Sequence, residues 1–144
     1  MNLPFRKLRA DVELPGGAHP GDAGLDLRAA EPAKVAPGER VMIPTGLSVA
    51  IPEGHAGLVL PRSGLASKHG LTLANAPGLI DAGYRGEVIV AVVNLDREHA
   101  VVIEAGDRIA QLVVVALPDL APVFVEELPA SERGDGGFGS SGTA

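Results

Sequence analysis

The chain has 144 residues, a length typical of a single domain that buries most of its apolar surface. Its formal net charge is −6, which argues against a general nucleic-acid binder, because such proteins usually carry basic surfaces. The chain has no cysteine, so disulfides and thiolate metal sites are excluded, and its four histidines have no metal-ligand spacing. With only three Phe and one Tyr, the core must be built from Val, Leu, Ile and Ala.

The N-terminus is charged and lacks an apolar stretch of signal-peptide length. No apolar run approaches the roughly 20 residues that would span a bilayer. We therefore expect a cytoplasmic protein whose partners include neither a membrane nor nucleic acid.

Short apolar segments recur along the chain, separated by turn signals such as Pro37-Gly38 and Pro52-Glu53-Gly54. This rhythm predicts an all-β barrel, sandwich or jelly roll. The predicted strands are Leu25–Ala30, Arg40–Ile43, Leu47–Ile51, Gly57–Leu60, Val88–Asn94, Ala100–Ile103, Ile109–Leu117 and Val123–Glu127.

Two segments depart from a simple strand pattern. Ser63–Gly70 begins with a hydroxyl that can cap a helix and ends with glycine, so it predicts a single short helix. The run Ile89–Val93 is apolar on both faces. A strand of this kind is buried twice, which in a small β-domain indicates that its second face packs against another subunit.

Glycines, charges and hydroxyls concentrate in five segments that lie between the predicted strands or at their ends. Binding residues are usually placed there. The five segments are Ala23–Ala29, Pro61–Gly64, Gly78–Gly86, Gly106–Gln111 and Arg133–Ala144.

Each segment has an interpretation that needs no ligand. Asp26 lies in an otherwise apolar strand, and an arginine could supply the partner that a half-buried carboxylate requires. Arg62 could be a surface residue beside a helix cap, and Asp81 could hydrogen-bond its own turn. Gln111 could be an ordinary sheet residue. The Gly/Ser-rich tail could be a flexible linker, as such termini usually are.

The same segments also suit a phosphorylated ligand. Arg62 opens the predicted helix, whose N-terminal N–H groups attract anions. Glycines at positions 78, 83 and 86 bracket Asp81 and predict a β-hairpin whose backbone could pair with a flat base. The tail combines glycines and hydroxyls with Arg133 and Phe138, an inventory that suits a nucleotide with several phosphates.

In this order and spacing, the five segments resemble the five motifs of the trimeric dUTP diphosphatases (dUTPases), and the resemblance covers nearly the whole chain. It implies a jelly-roll-like (β-clip) barrel with one short helix, assembled as a homotrimer whose sites each use more than one subunit. It also implies hydrolysis of dUTP to dUMP and pyrophosphate through attack of water on the α-phosphorus. That reaction limits uracil incorporation into DNA and supplies dUMP for thymidylate synthesis.

The resemblance implies a role for each site residue. Asp81 is similar to the general base that activates the water, and Tyr84 to the ring that stacks under the deoxyribose and leaves no room for a 2′-hydroxyl. Asp26 is similar to the carboxylate that holds, through water, a Mg²⁺ on the triphosphate. The positions that resemble substrate-binding residues are Arg62, Ser63, Gly64, Asn75, Gly78, Ile80, Tyr84, Gln111, Arg133, Phe138, Gly139, Ser140 and Ser141.

By the same resemblance, residues 1–130 form the dUTPase β-domain and residues 131–144 form a flexible C-terminal lid. In the family, the lid phenylalanine covers the base while the arginine and hydroxyls hold the γ-phosphate, which here implies Phe138, Arg133, Ser140 and Ser141. The family often has threonine where this chain has Ser141, and serine preserves the hydroxyl donor. We expect residues 133–142 to become ordered when the triphosphate binds.

Two rival functions stay open. A dCTP deaminase is related by fold but acts on the base rather than on the phosphate, and the segment with Asp81 and Tyr84 favours the dUTPase. A nucleotide-sensing interaction protein would keep the fold without catalysis. The presence of all five segments argues against it.

Overall fold

A computed structural model describes residues 1–139 and 141–142 of the chain. Within these residues the chain forms ten β-strands and one α-helix, which confirms the all-β class with one short helix. In chain order the elements are β1 (Phe5–Lys7), β2 (Leu25–Arg28), β3 (Ala33–Val35), β4 (Arg40–Val49), β5 (His55–Leu60), α1 (Ser63–His69), β6 (Leu71–Leu73), β7 (Gly78–Ile80), β8 (Glu87–Asn94), β9 (Val101–Ile103) and β10 (Arg108–Ala116).

The described strands form two four-stranded sheets and one two-stranded sheet, and every pair is antiparallel. The strand orders are β1-β4-β8-β6 and β2-β10-β5-β7, while β3 pairs with β9; these pairings close no barrel in the described part of the chain. Apolar side chains from all three sheets meet in one buried cluster that contains only Val, Leu, Ile and Ala. Composition therefore predicted the chemistry of the core correctly.

Two predicted strands, Arg40–Ile43 and Leu47–Ile51, form one continuous strand, β4, which runs to Val49. The register of β4 against β8 shifts between Pro44 and Ser48, as at a β-bulge. At the bulge Gly46 has a positive φ of 68°, a conformation that suits glycine. Its N–H donates to Glu87 Oε1 at 2.8 Å. The bulge therefore accommodates Pro44 and Gly46 within one strand.

The helix α1 spans Ser63–His69 and ends at Gly70, whose φ of 66° places it in the left-handed region. The start of the helix differs from the prediction. Arg62 is the N-cap residue and no side chain makes a capping hydrogen bond, so the hydroxyl of Ser63 does not cap the helix. No helix in the described residues is long and apolar enough to cross a membrane.

The predicted strand Val123–Glu127 is wrong. Residues 117–139 form neither strand nor helix, and Val123 and Phe124 are 78% and 106% exposed. A strand needs a neighbouring backbone for its N–H and C=O groups, and no strand of the described residues pairs with this segment. Conversely, β1, β3, β6 and β7 were missed, because three residues are too few to show an apolar period.

The strand β8 buries one face and exposes the other. Val88, Val90 and Val92 are at most 3% exposed, whereas Ile89 on the opposite face is 46% exposed. Within one chain, the strand that the sequence predicted to be buried on both faces is thus buried on one.

Asn94, at the end of β8, is fully buried and ties three parts of the chain together. Its Nδ2 donates to Val35 O at 3.0 Å and to His99 O at 2.9 Å, and its Oδ1 accepts the Asp96 N–H at 2.9 Å. The loop that follows is held by a second side chain, since the N–H groups of Glu98 and His99 donate to Asp96 Oδ1. These hydrogen bonds hold the pKa of Asp96 below its usual value.

Replacing Asn94 by Ala should lower the free energy of unfolding by about 2–4 kcal/mol, because the buried Val35 carbonyl and the partly buried His99 carbonyl and Asp96 N–H lose their side-chain partner. Urea unfolding at a fixed protein concentration measures the change. The control is Arg97→Ala, an exposed residue of the same loop, which should shift stability by less than about 0.5 kcal/mol. Equal effects of the two substitutions would contradict the anchoring role of Asn94.

Candidate functional site

Five of the predicted site residues line one cavity of about 320 Å³ between β7 and β8, which we call the base cavity. They come from the loop before β7, from β7 itself and from the bend that follows it. Apolar side chains of β5 and β8 complete the walls. The predicted residues in this cavity are Asn75, Gly78, Ile80, Asp81 and Tyr84.

The segment Gly78–Gly86 is not the hairpin that the sequence predicted. The strand β7 pairs with β5, with Gly78 opposite Val59, whereas β8 pairs with β4 and β6, so the segment crosses from one sheet to the other. Its bend is a single turn in which the Tyr84 N–H donates to Asp81 O at 3.0 Å. The tight bend was predicted correctly, but each flanking strand finds its partner in a different sheet.

Hydrogen bonds hold Tyr84 both through its hydroxyl group and through the backbone of its turn. Tyr84 Oη donates to Glu87 O at 2.9 Å. Arg85 Nη1 donates to Ala82 O at 2.6 Å and to Tyr84 O at 2.8 Å. The ring is 45% exposed, so one side of it is available to a ligand.

A second group of predicted residues meets at the junction of β2, β10 and the start of α1, and we call it the anion group. The side chain of Asp26 is 15% exposed and lies between two guanidinium groups, 3.7 Å from Arg62 Nε and 3.3 Å from Arg108 Nη1. Arg62 also donates from Nη1 to Arg108 O at 3.0 Å. One carboxylate against two guanidinium groups leaves a formal positive charge, which favours an anionic ligand.

The strand β10 places Gln111 in the anion group. Gln111 is opposite Asp26 of β2 on one side and Leu60 of β5 on the other. Its Nε2 donates to Pro61 O at 3.1 Å, two residues before Ser63, which starts the helix and is exposed, as Gly64 is. Three segments that are far apart in the sequence therefore converge.

Arg108 belongs to the anion group, although the sequence pattern assigned it no role. The ion pair with Asp26 depends on the register of β10 against β2, with a shift between Arg108 and Ala110. The only sequence signal was a charged residue at the start of an apolar strand, and such residues are common at strand ends.

The anion group lies outside the base cavity, because Asp26, Arg62 and Arg108 do not line that cavity. Arg62 and Arg108 line a different cavity, of about 600 Å³, together with His69 and Asp107. Among five cavities of the described residues, none contains members of both groups.

The tail residues lie outside both groups. Arg133 Nε donates to Gly136 O at 2.7 Å within the tail, and Phe138 is fully exposed with a positive φ of 48°. Neither they nor Gly139 and Ser141 line the base cavity. The remaining predicted tail residue, Ser140, lies outside the described residues.

The carboxylates offer little to a metal ion by themselves. Within residues 1–139 and 141–142, no group of three His, Asp or Glu side chains could hold one. Asp26 is the predicted metal-associated residue, and its two oxygens face Arg62 and Arg108. It could contribute to a metal site only together with oxygens from a ligand or from water.

A cavity lined by an aspartate and a tyrosine, and a separate group with two arginines, are features that suit the class of nucleotide-binding proteins. The family model for dUTPase matches residues 10–142, almost the whole chain. The chain belongs to the dUTPase family.

Individual relatives agree with this assignment. The deoxyuridine 5′-triphosphate nucleotidohydrolase of Streptomyces avermitilis is 55% identical over 142 residues, covering 99% of this chain and 81% of that protein. A dUTPase of Staphylococcus bacteriophage 80alpha, solved with dUpNHpp, superposes with a TM-score of 0.90 at 35% identity, covering 99% of both chains. A mutant dUTPase of phage phi11 of S. aureus, whose structure describes the coordination of a structural Mg(II) ion, has a TM-score of 0.82 at 31% identity over 90% of this chain and 100% of that one.

Proposed function

We propose that this chain hydrolyses dUTP to dUMP and pyrophosphate by in-line attack of water on the α-phosphorus. The observation that carries the proposal is the base cavity, in which residues that resemble the base-binding, sugar-stacking and catalytic positions of the family share one space. Family membership over residues 10–142 supports it. The proposal includes a cytoplasmic location.

The base cavity suits a uracil ring. Its volume of about 320 Å³ lies at the small end of the range for small-molecule pockets. Its walls include Val59, Ile80 and Val90, which can cover a flat ring, and Asn75 supplies an amide donor and acceptor. The strand β7, with Gly78, is the last strand of its sheet, so its outer edge offers backbone N–H and C=O groups to the polar edge of a base.

Asp81 and Tyr84 give the cavity its chemistry. In the proposed reaction the Asp81 carboxylate takes a proton from the attacking water, while the Tyr84 ring stacks under the deoxyribose. The two side chains come from the ends of one turn, so their spacing is fixed by a single backbone hydrogen bond. The turn thereby holds Asp81, the proposed general base, close to Tyr84, the ring that is proposed to select the sugar.

The anion group suits the triphosphate. Arg62 and Arg108 supply guanidinium groups that can form paired hydrogen bonds with phosphate oxygens. Gln111 can turn its amide from the Pro61 carbonyl toward a phosphate. Ser63 and Gly64 add a hydroxyl and an exposed backbone beside them. These groups stabilise the charge that develops as the bond to pyrophosphate breaks.

The anion group also fits a Mg²⁺ ion that arrives with the nucleotide. Magnesium keeps several of its waters and is usually bound through one or two carboxylates plus substrate phosphates, and Asp26 is a single carboxylate beside the proposed phosphate site. We propose that Asp26 holds the ion through water. When bound, the ion would neutralise charge on the triphosphate oxygens.

The tail serves as a lid in this proposal. Residues 1–130 would form the body, and residues 131–144 would close over the nucleotide. Phe138 and Gly139 would cover the base, while Arg133, Ser140 and Ser141 would hold the γ-phosphate. The exposure of Phe138 supports this idea, because its ring is covered by nothing in the described residues and is available to a ligand.

We further propose that the active unit is a homotrimer in which each site combines residues of more than one chain. One nucleotide must reach both the base cavity and the anion group, yet one chain places them in different cavities. Large apolar side chains are exposed in the isolated chain, among them Met42 at 60% and Leu120 at 76%. Such side chains are typical of surfaces that another subunit covers.

The trimer makes a direct prediction. Multi-angle light scattering of the full chain should give three times the chain mass of 14.7 kDa at micromolar concentration. A mass of one chain, with full activity retained, would contradict both the trimer and the shared site.

One assay tests the proposed reaction. Pyrophosphate release should be measured with dUTP, dCTP, dTTP and UTP, each with and without Mg²⁺. We expect turnover of dUTP alone and a strong dependence on the metal. Ammonia release from dCTP would indicate a deaminase instead, and tight binding of dUTP without any product would indicate a nucleotide sensor.

A further inference from the structure

Gly86 lies against the ring of Tyr84. A Cβ atom built on Gly86 would overlap Tyr84 Oη and would lie 2.6 Å from Tyr84 Cζ and 3.0 Å from Cε2. The φ of Gly86 is not positive, so the backbone conformation does not require glycine. The three atoms that lie nearest to such a Cβ all belong to the Tyr84 side chain.

The same hydroxyl end of the ring is fixed to the body of the protein. Tyr84 Oη donates to Glu87 O at 2.9 Å, and the carboxylate of Glu87 accepts the Gly46 N–H of the β4 bulge at 2.8 Å. The phenol is thus held against a backbone carbonyl that is itself anchored to a neighbouring strand. A ring displaced by a new Cβ would have to give up this hydrogen bond.

A matched position lies three residues away in the same bend. Gly83 also lacks a positive φ, and a Cβ atom built on it would meet nothing within 4 Å. Glycine-to-alanine substitutions at positions 83 and 86 therefore make the same chemical change, and they differ in whether the new methyl group meets Tyr84.

We infer that Gly86 is a positioning residue for sugar selection: by leaving room for the Tyr84 ring, it sets the surface that distinguishes deoxyribonucleotides from ribonucleotides. The inference rests on the proposed function, because it takes Tyr84 as the residue under the sugar. The atoms that a Cβ would meet belong to the end of a side chain, so the chain can accept alanine here by turning the ring rather than by unfolding.

The first test compares kcat/KM for dUTP with kcat/KM for UTP in wild type, Gly86→Ala and Gly83→Ala, with enough enzyme to set an upper limit on kcat/KM for UTP where no turnover is detected. We expect Gly86→Ala to lower the ratio about 10- to 100-fold, the discrimination that a pocket achieves against one added hydroxyl. Gly83→Ala should keep the wild-type ratio. A general loss of stability would lower both activities together and leave the ratio unchanged, so an unchanged ratio in Gly86→Ala overturns the inference.

A double-mutant cycle tests whether Gly86 acts through the ring. In a Tyr84→Ala background, adding Gly86→Ala should change the dUTP/UTP ratio by less than about twofold, because the ring that it displaces is gone. An effect of the same size in both backgrounds would assign the change to the backbone of the bend and would reject the inference.

The ring position can also be followed without turnover. Tyr84 is the only tyrosine, and the chain has no tryptophan, so tyrosine emission and its quenching by acrylamide report this ring directly. Gly86→Ala should change the quenching constant, whereas Gly83→Ala should not. If wild type fails to hydrolyse dUTP, the proposed function fails. If wild type selects dUTP and the ring moves without a change in the ratio, the inference alone fails.

Discussion

Replacing Asp81 by Asn should lower kcat for dUTP hydrolysis by about 10²- to 10⁴-fold, the range that a positioned general base contributes. Asparagine keeps the size of the side chain but cannot take a proton from the attacking water. The turn should survive the change, because Tyr84 donates to the backbone oxygen of Asp81 at 3.0 Å and not to its carboxylate. We therefore expect KM to change much less than kcat. Steady-state pyrophosphate release measures both constants.

The control for this prediction is Asp119→Asn, which removes the same charge from an exposed residue outside the site. It should leave kcat within about twofold of wild type, since exposed charges at a distance are screened by salt. A turnover of the Asp81→Asn enzyme within a few-fold of wild type would remove Asp81 as the base. In that case the carboxylate would only shape the turn, as the sequence alone also allowed.

The sequence predicted the long elements of the fold well and the short ones poorly. The strands β8 and β10 have eight and nine residues, enough for an apolar pattern and flanking turn residues to identify them. Four strands of three residues each were not predicted, because the ends of so short a strand are set by its pairing partner and not by its own composition. The apolar run Val123–Glu127 shows the converse error, since an apolar pattern without a partner strand does not make a strand.

The residues of the base cavity could be predicted from the sequence, whereas the pairing within the anion group and the placement of the two groups in different cavities could not. Asn75, Gly78, Asp81 and Tyr84 fall within ten consecutive residues, so a local pattern identified them together. The pairing of Asp26 with Arg108 joins positions 82 residues apart, and only the β2–β10 register brings them together. The distribution of the two groups over different cavities is a property of the assembled sheets, which no local pattern contains.

Deleting residues 133–144 should lower kcat for dUTP by about 10²-fold or more, as the loss of preorganised donors to developing charge typically does. The fold should be unaffected, because the described hydrogen bonds of this segment are local: Gly134 N and Gly136 N donate to Ser131 O and Arg133 O, each at 3.2 Å. Thermal unfolding should therefore show the same midpoint for the full and the shortened chain at equal concentration. Steady-state turnover and calorimetric binding of nucleotides provide the measurements.

The affinities for dUMP and for the triphosphate distinguish the contacts that the lid makes from those that the body makes. If the tail holds the γ-phosphate, the shortened chain should bind dUMP, which has no γ-phosphate, nearly as the full chain does, while its affinity for the triphosphate falls. Asp135→Ala, within the tail but without an assigned role, should retain turnover within a few-fold of wild type. Unchanged turnover after deletion would return the tail to the class of flexible linkers. A loss of dUMP binding would instead indicate that the tail contributes mainly through contact of Phe138 with the base, because dUMP has the base but no γ-phosphate.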